Sequence, residues 1–448
     1  MMKRVTILSV LVGSLYGIPS NVSADALSNN NEKVIIFKES VSKESMQQVI
    51  KDKTLKVTYQ IPELKLIVVQ DSHSKLKENK YIESVFSSSS LKPIAREENP
   101  SLNEETFSLW EAQWDMKQIT GDKLSYSLHQ ANKGTVVAII DSGINDEHQD
   151  LKDSVVKGSK NLVPVGGYNG TESTELGNKN DYKDRMGHGT GVAGQISANG
   201  KLHGVAPGIG IRSYRVFGEK SAKTEWILKA IIEAANDDAD VINLSLGEYM
   251  LVSGQYKDGT NDLKEYKAYK KAVDYAYKKG SIVVAAAGNA GVNVRNQNDM
   301  KELFTLLGND LDESSKNKKV KIYDMPAQLS KVVSVGSIGP LNTQSIFSNY
   351  GRSFIDYYAT GGDFSYLNQY GQEKWMEEGW FEKELILTTG MDGGYYQDAG
   401  VSYAAPKVSG AIALLISKEK LKNKPNKALN QFKKLNQNKY IYLPNVLK

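Results

Sequence analysis

Five short apolar runs, separated by segments with helical patterns, constrain the fold of this chain more than any other feature. Strands that are buried on both faces of a parallel sheet have this near-continuous apolar character. Residues 224–236, between the second and third runs, carry apolar side chains at helical spacing, as in a helix that connects two such strands. The alternation predicts an α/β fold in which helices cover both faces of a parallel β-sheet. The predicted strands span residues 135–140, 211–216, 241–246, 281–287 and 332–335.

A smaller unit precedes this pattern, at residues 25–96. The predicted elements are strands at 33–38 and 82–86, helices at 43–51 and 73–79, and a hairpin over 55–70. That β-α-β-β-α-β order is the split βαβ arrangement of a small α+β, ferredoxin-like domain. The polar stretch that follows, residues 87–102, contains four consecutive serines and two prolines and predicts an exposed linker.

The first 24 residues have the pattern of a signal peptide. A positively charged start at residues 1–4 precedes an uncharged, mostly apolar run of 14 residues at 5–18, which is too short to span a bilayer. The small residues of Val22-Ser23-Ala24 predict cleavage after Ala24. A buried strand or helix of a cytosolic protein is the alternative, but three coinciding features favour export. No later apolar stretch is long enough for a transmembrane helix, and we expect a secreted protein.

The composition leaves few groups that could carry out catalysis. The chain has no cysteine, which excludes disulfides, thiolate metal sites, iron–sulfur clusters and a cysteine nucleophile. Its 56 Lys and Arg against 52 Asp and Glu are too evenly balanced to predict a nucleic-acid partner. A serine, a carboxylate or one of the five histidines must therefore carry any covalent or acid–base chemistry.

Three residues have surroundings that suit such chemistry. Asp141 directly follows the first predicted parallel strand, and functional groups collect at the carboxyl ends of such strands. Glycines flank His188, which lets the backbone approach closely and leaves the imidazole accessible. Ser402 precedes a predicted apolar helix at 408–416, whose dipole favours developing negative charge near its N-terminus.

These three residue types form a coherent catalytic set. A serine hydroxyl is a weak nucleophile unless a base removes its proton, and a buried carboxylate must hold that base in the right tautomer. The chain order Asp, His, Ser differs from the Ser, Asp, His order of α/β-hydrolases. The serine also lacks the second glycine of the G-x-S-x-G motif, so the pattern argues against a lipase or esterase.

The segments around these residues resemble the signature blocks of subtilisin-like serine proteases, the subtilases. The resemblance covers most of residues 110–420 and implies a subtilisin-like α/β fold and serine endopeptidase activity. The matching blocks are VAIIDSGI at 137–144, GHGTGVAG at 187–194, NLSLG at 243–247, AAAGN at 285–289 and GVSYAAPKVSG at 400–410.

The resemblance implies a role for each matched residue. Ser402 attacks the scissile carbonyl, His188 transfers its proton, and Asp141 orients the imidazole and stabilises its cation. The Asn289 side chain and the Ser402 backbone N–H form the oxyanion hole. The residues implied to bind the substrate backbone are Ser245, Leu246, Gly247, Ala287 and Gly288.

The sequence departs from the family pattern at several positions. Val401 stands where threonine is usual, and Gly191 where many members have a second histidine. We expect these differences to tune activity rather than abolish it, since neither residue belongs to the triad. The loop at 198–204 is shorter than the loop that holds calcium in the best-known subtilisins, although Asp150 aligns with one calcium ligand. We therefore predict no calcium at that site, and the chemistry requires no metal or cofactor.

Substrate specificity can be predicted from one further segment. Residues 323–327 resemble the family segment that lines the S1 pocket, which places Asp324 opposite the substrate side chain that precedes the scissile bond. A buried carboxylate there favours arginine, whose guanidinium can satisfy it with two hydrogen bonds. The alternative is a loop aspartate that faces solvent. Arg96, in the linker, offers a self-cleavage point of the same preference.

The subfamily that these features resemble most is that of the lantibiotic leader peptidases of Gram-positive bacteria. We expect a freely secreted monomer that acts on a peptide or protein substrate, with its own propeptide as an intramolecular inhibitor, and with no nucleic-acid partner and no membrane span. A broad-specificity extracellular subtilase is the alternative. A non-catalytic protein with this fold would need a lost triad member, and all three are present. The predicted domains are a signal peptide at 1–24, a propeptide at 25–96, a linker at 97–109 and the protease at 110–448.

Overall fold

The computed structural model describes residues 32–70, 76–92, 109–317 and 319–448 of the chain. The predicted signal peptide and Arg96 lie outside these residues. No helix in the described ranges combines the length and the apolar content needed to cross a membrane.

The N-terminal part is a four-stranded antiparallel sheet, here called the N-terminal sheet. Its strands are β1 (Glu32–Phe37), β2 (Lys56–Ile61), β3 (Leu66–Gln70) and β4 (Ile82–Phe86). Helix α1 (Lys43–Asp52) connects β1 to β2, and a 3₁₀ turn at Pro62–Leu64 closes the hairpin of β2 and β3. The order β2-β3-β1-β4 is that of the split βαβ arrangement. The predicted strands, first helix and hairpin are confirmed.

The second predicted helix of this unit, at 73–79, is wrong where the structure describes it. Residues 71–75 lie outside the described ranges, and residues 76–79 form no helix. The Asn79 side chain instead accepts the backbone N–H groups of Tyr81 and Ile82, at 2.8 and 3.0 Å. Asparagine commonly offers the backbone such a local alternative to a helix.

Both faces of the N-terminal sheet pack against apolar side chains. Because side chains alternate along a strand, successive residues of β1 lie in two different cores. Ile35 and Phe37 belong to a small core that includes Val49 of α1. Val34 and Ile36, which alternate with them, belong to the main core of the molecule. The sheet is therefore packed against the rest of the chain rather than standing apart from it.

Residues 88–92, part of the predicted linker at 87–102, do not form a simple exposed segment; residues 93–102 lie outside the described ranges. Ser90–Leu91 forms a short strand, β5, that pairs antiparallel with residues 222 and 223. The Leu91 side chain is 3% exposed. Leu109, also predicted as linker, begins the next described helix and is buried. The exposed-linker prediction fails here because the backbone of residues 90–91 finds a strand edge and Leu91 finds an apolar site.

The centre of the molecule is a seven-stranded sheet in which all neighbouring strands run parallel. The strands after β5 are β6 (Val136–Asp141), β7 (Lys160–Asn161), β8 (Gly210–Arg215), β9 (Ala222–Lys223), β10 (Val241–Leu244), β11 (Glu248–Ser253), β12 (Ile282–Ala286), β13 (Lys321–Met325), β14 (Val332–Ile338), β15 (Tyr357–Thr360), β16 (Ile386–Thr389) and β17 (Tyr395–Asp398). The strand order of the central sheet, from one edge to the other, is β15-β14-β12-β10-β6-β8-β7. The five predicted strands are confirmed as β6, β8, β10, β12 and β14.

Helices surround this sheet, as the sequence predicts for an α/β fold. The helix predicted at 224–236 is confirmed with the same bounds. The helices after α1 are α2 (Leu109–Ala112), α3 (Trp114–Thr120), α4 (Leu124–Leu128), α5 (His188–Ser197), α6 (Thr224–Asn236), α7 (Leu263–Lys279), α8 (Gln297–Leu306), α9 (Glu313–Asn317), α10 (Ser365–Tyr370), α11 (Gln372–Glu377), α12 (Phe381–Glu384), α13 (Val401–Glu419), α14 (Pro425–Leu435) and α15 (Leu443–Leu447).

The loop after α5 is held by a buried carboxylate, Asp150. Its two oxygens accept the backbone N–H groups of Lys201 and Leu202, at 2.9 and 2.8 Å, and the Tyr395 hydroxyl at 2.9 Å. A Cβ atom on Gly200 would lie 2.0 Å from Asp150 Oδ1, so only glycine fits there. Donors from the described chain thus bond to the carboxylate that aligns with a calcium ligand of the best-known subtilisins.

We predict that Gly200→Ala destabilises the fold by about 1–3 kcal/mol, because the new methyl group must displace the Asp150 carboxylate from its donors. Urea unfolding, followed by circular dichroism in a Ser402→Ala background to prevent self-digestion, measures the effect. Gly394→Ala is the matched control, since its Cβ would meet only the Asp392 side chain, with the nearest atom at 3.3 Å. Equal stability of the two variants would contradict the close approach.

Candidate active site

The carboxyl ends of three neighbouring strands bring the predicted site residues to one edge of the parallel sheet. Strand β6 ends at Asp141, β10 continues into residues 245–247, and β12 continues into residues 287–289. Helices α5 and α13, which carry His188 and Ser402, pack against each other and against this sheet. This is the edge at which open α/β sheets bind their ligands.

The His188 imidazole is held by Asp141. Its Nδ1 lies 2.8 Å from Asp141 Oδ1, so the proton on Nδ1 faces the carboxylate and Nε2 is left as an acceptor. Burial alone lowers the pKa of His188, but the charge of Asp141 and the hydrogen bond to it raise that pKa above its usual value, with help from Asp398 and Asp184. Among the described residues Nε2 has no hydrogen-bond partner. It can therefore take up a proton.

Asp184, which the sequence analysis did not single out, fixes the segment between Asp141 and His188. Its Oδ1 accepts the Ser142 hydroxyl at 2.8 Å and the N–H of Gly187 at 2.8 Å. Its Oδ2 accepts the N–H and the hydroxyl of Thr190, at 2.8 and 2.7 Å. One carboxylate thus joins the turn after β6 to the first turn of α5, where it also offsets the exposed N–H groups of a helix N-terminus.

Ser402 is the second residue of α13, which begins at Val401 rather than at the predicted residue 408. The Ser245 hydroxyl donates to the Ser402 carbonyl at 2.7 Å and so ties the helix start to the end of β10. Ser402 Oγ makes no hydrogen bond to His188 Nε2 in this state. Catalytic hydrogen bonds of this kind are often long without substrate and tighten when it binds.

Asn289 is oriented by the same helix. Its Oδ1 accepts the Val401 N–H at 2.9 Å, which turns the amide nitrogen of the side chain toward Ser402. A Cβ atom on Gly400 would lie 3.1 Å from Ser402 Oγ and 3.6 Å from Asn289 Nδ2. Gly400 therefore keeps open the space between the hydroxyl and the amide, where an oxyanion of the substrate would form.

The departure at Gly191 has a local cause. A Cβ atom there would lie 3.2 Å from the Tyr403 ring and 3.1 Å from a Thr388 methyl group, so a histidine would not fit. The Tyr403 ring lies 5.6 Å from the His188 ring, centroid to centroid, and its hydroxyl donates to Asp398 at 2.6 Å. The space that a second histidine would need is thus taken by a tyrosine that packs on His188.

A cavity of about 510 Å³ joins the predicted residues. Most of the residues assigned from the sequence line it, together with residues 89–92 of the segment that carries β5. The predicted residues in the lining are Asp141, His188, Ser245, Leu246, Gly247, Ala287, Gly288, Asn289, Asp324 and Ser402.

Asp324 is buried at 1% exposure rather than facing solvent. Its Oδ2 accepts the Gly288 N–H at 2.9 Å and the Asn349 side-chain amide at 2.8 Å. Burial raises the pKa of Asp324 to about 6, because these two hydrogen bonds only partly replace the lost hydration. Among the described side chains no cation pairs with it. The cavity thus contains a carboxylate whose counter-ion is not supplied by the described part of the chain.

Asn349 could not be assigned from the sequence, because it follows β14 and lies 25 positions from Asp324 with no motif to connect them. Asp184 gave no N-cap signal either, since the N-cap position of α5 is Gly187 and Asp184 lies three residues before it.

The fold and the site together define a serine protease of the parallel α/β class. A family model described as "Subtilase family" matches residues 132–437, and the chain belongs to that family. Its fold is accordingly subtilisin-like.

Two leader peptidases are among its relatives. Over 410 residues the chain is 43% identical to the epidermin leader peptide-processing serine protease EpiP of Staphylococcus epidermidis. The match covers 89% of this chain and 87% of EpiP. Over 332 residues it is 45% identical to the nisin leader peptide-processing serine protease NisP of Lactococcus lactis, covering 74% of this chain but only 47% of that protein.

Solved structures agree with these relatives. The crystal structure of EpiP from Staphylococcus aureus superposes with a TM-score of 0.80 at 38% identity and covers 93% of this chain and 97% of that chain. The structure of NisP superposes with a TM-score of 0.71 at 43% identity, covering 76% of this chain and 94% of that one.

We predict that Asp184→Ala lowers kcat by roughly 10- to 100-fold, because the turn after Asp141 and the start of α5 lose their common anchor and the two side chains shift apart. KM should change less, since Asp184 does not line the cavity. Steady-state hydrolysis of a peptide substrate measures both constants.

Asp153→Ala, at an exposed loop aspartate, is the matched control for this variant. A thermal unfolding scan shows whether the Asp184 variant is folded at the assay temperature. A folded variant with unchanged kcat would rule out the positioning role.

Proposed function

We propose that this chain is an exported serine endopeptidase that removes the leader from a lantibiotic-type precursor peptide by cleaving after arginine. The relatives named for epidermin and nisin leader processing support the substrate class. The observation that carries the cleavage preference is the buried Asp324 carboxylate, which lines the same cavity as His188 and Ser402.

The proposed chemistry uses Asp141, His188 and Ser402 as the triad. Ser402 Oγ attacks the scissile carbonyl carbon while His188 Nε2 takes the hydroxyl proton, and Asp141 stabilises the imidazolium. The oxyanion receives hydrogen bonds from the Asn289 side-chain amide and the Ser402 N–H. One such donor typically contributes about 2.7–4 kcal/mol to transition-state stabilisation. The proton then passes to the leaving amine, and water hydrolyses the acyl-enzyme.

Arginine would fill the cavity at Asp324. Both hydrogen bonds that this carboxylate accepts in the described chain go to Oδ2, so Oδ1 retains its capacity to accept a guanidinium donor. A cation also removes the cost of burying the charge, since it supplies the partner that the described residues do not. The site therefore gains most from a substrate side chain that is both cationic and planar.

The precursor would be divided into a signal peptide at 1–24, a propeptide at 25–96, a linker at 97–109 and the protease at 110–448. Lys92 already lines the cavity that contains Ser402. Residues 93–96 add at most about 14 Å of extended chain, which suits Arg96 as the self-cleavage residue. The N-terminal sheet that packs on the protease would then act as its intramolecular inhibitor.

We predict that Asp324→Ser lowers kcat/KM for substrates with arginine before the scissile bond by roughly 10- to 100-fold, because a charge-assisted hydrogen bond is lost. For substrates with leucine before the scissile bond, kcat/KM should fall far less. The comparison uses two peptides that differ only at this residue, with Asp153→Ser as the control enzyme.

The pH dependence gives a second measurement of the same prediction. The pKa of Asp324 is raised to about 6, so the carboxylate is charged above that pH and neutral below it. The arginine-to-leucine ratio of kcat/KM should rise as the pH increases through 6 and then level off. His188 affects both substrates alike and cancels in the ratio. A ratio near one at every pH would instead favour the broad-specificity subtilase.

We predict that secreted wild-type protein begins at Glu97 and that Ser402→Ala protein does not, because the chain cuts itself after Arg96. N-terminal sequencing of both secreted proteins measures this directly. Arg96→Gln should delay processing in an otherwise wild-type enzyme. Processing of the serine variant at the wild-type rate would show that Ser402 is not the nucleophile.

A further inference from the structure

Three glutamates converge on two serines of the segment that carries β5. They come from three different elements: Glu225 from α6, Glu248 from β11 and Glu265 from α7. We call them, together with Thr224, the acidic pocket. The segment that occupies it is here called the tail segment, residues 88–92.

The tail segment contacts the pocket mainly through Ser89. The Ser89 hydroxyl lies 2.6 Å from Glu248 Oε2, 2.9 Å from Glu265 Oε1 and 2.9 Å from the Thr224 hydroxyl. The Ser89 N–H donates to Glu265 Oε1 at 3.0 Å. The Ser88 hydroxyl donates to Glu225. Every polar group of Ser89 that can donate is thus directed at a carboxyl group.

The number of hydrogens limits what these contacts can be. A serine hydroxyl carries one hydrogen, so it can donate to Glu248 or to Glu265 but not to both. The other contact is favourable only if that carboxyl group is protonated and donates to the hydroxyl oxygen. A proton on one of the two carboxyl groups would make both contacts hydrogen bonds.

The surroundings of the three carboxyl groups favour such a proton. Glu225 and Glu265 are each 2% exposed. Burial raises the pKa of Glu248 to about 7 and also raises the pKa values of Glu225 and Glu265. No described lysine, arginine or histidine forms an ion pair with any of them. Lys223, the cation whose charge reaches Glu225, is paired with Glu32.

The tail segment lies in the cleft as a peptide would. Ser90 and Leu91 pair antiparallel with Lys223 and Ala222, and residues 89–92 line the cavity that contains Ser402. Ser89 lies N-terminal to Lys92 and to the proposed cleavage residue Arg96. The acidic pocket is therefore on the side of the cleft that receives residues before the scissile bond.

We propose that the acidic pocket is a substrate subsite that selects serine at a position N-terminal to the scissile bond. This inference rests on the proposed function in one respect, since it takes a substrate peptide to lie in the cleft as the tail segment does. Alanine would remove the hydroxyl contacts to Glu248 Oε2 and Glu265 Oε1, and Glu265 would keep only the N–H of residue 89 from the tail segment. A larger side chain would meet Glu248, which is already at hydrogen-bond distance from the hydroxyl. Sites built to bond a hydroxyl group reject analogues that lack it far more strongly than apolar pockets reject a missing methylene.

The first test measures docking of the tail segment without any cleavage. Full-length Ser402→Ala protein is compared with the same protein carrying Ser89→Ala or Ser90→Ala, by hydrogen exchange of the amides of residues 86–92. We expect Ser89→Ala to raise exchange roughly tenfold or more, because buried donors and acceptors lose their partner. Ser90 is exposed and its hydroxyl accepts one hydrogen bond of 3.2 Å, from Tyr168, so Ser90→Ala should change exchange far less than Ser89→Ala. Equal exchange in the two variants would overturn the proposal.

The second test measures selection by the wild-type mature enzyme, which avoids any risk that a pocket variant fails to fold. Synthetic peptides with the sequence of residues 86–100 carry Ser, Thr, Ala or Val at the position of Ser89. We expect kcat/KM to fall roughly tenfold or more from Ser to Ala and further to Val, whereas Ser to Ala at the position of Ser90 has no effect.

The two tests separate this inference from the proposed function. Absence of any cleavage after arginine, with docking still sensitive to Ser89, would contradict the proposed function and leave the pocket's preference for serine intact. Equal cleavage of all four peptides would overturn the subsite, even if cleavage after arginine is confirmed.

Discussion

The parallel register of three central strands is the constraint on which the site depends. Val241 of β10 pairs with Val137 of β6 and with Ile282 of β12, so the three strands end almost level. Because their carboxyl ends are aligned, the strand register alone places Asp141 and the segments after β10 and β12 at one edge of the sheet. Hydrogen bonds then add α13 to this edge, through the Ser245 hydroxyl and the Ser402 carbonyl. The arrangement of the candidate site thus depends first on the register of the sheet and only then on the loops.

Some buried charges away from the cleft have a partner of opposite charge. Arg215 binds Glu175 through two hydrogen bonds of 2.6 and 2.9 Å, and Lys407 lies 2.6 Å from Asp115. At the cleft, Asp324 and the three glutamates of the acidic pocket have no cationic partner among the described residues. Burying a charge without a partner is costly, and such groups concentrate where a ligand completes the site.

The sequence predicted the sheet and the residues that meet at its edge, because both leave local signals. Apolar runs mark strands buried on two faces, and Asp141, His188 and Ser402 each lie in a short motif. The contacts that the sequence did not reveal join distant segments. Asn349 supports Asp324 from 25 positions away. The serine run at 87–90 has the composition of a linker, although Ser88 and Ser89 bond to glutamates more than 130 positions later. Asn79, which ends the predicted second helix, shows the opposite case, where a local side-chain bond overrides a helical pattern.

The pairing of β5 with β9 has a kinetic consequence under the proposed function. A peptide segment that is covalently attached next to its own binding site acts at an effective concentration in the millimolar range. A free precursor peptide at about micromolar concentration would compete with it at a disadvantage of roughly a thousandfold. A cut between residue 92 and the protease removes the covalent attachment, so the effective concentration is replaced by the actual concentration of the released segment. Dilution outside the cell then shifts the binding equilibrium toward the free enzyme. The same two-residue strand would therefore help to inhibit the protease before the cut and dissociate from it afterwards, outside the cell.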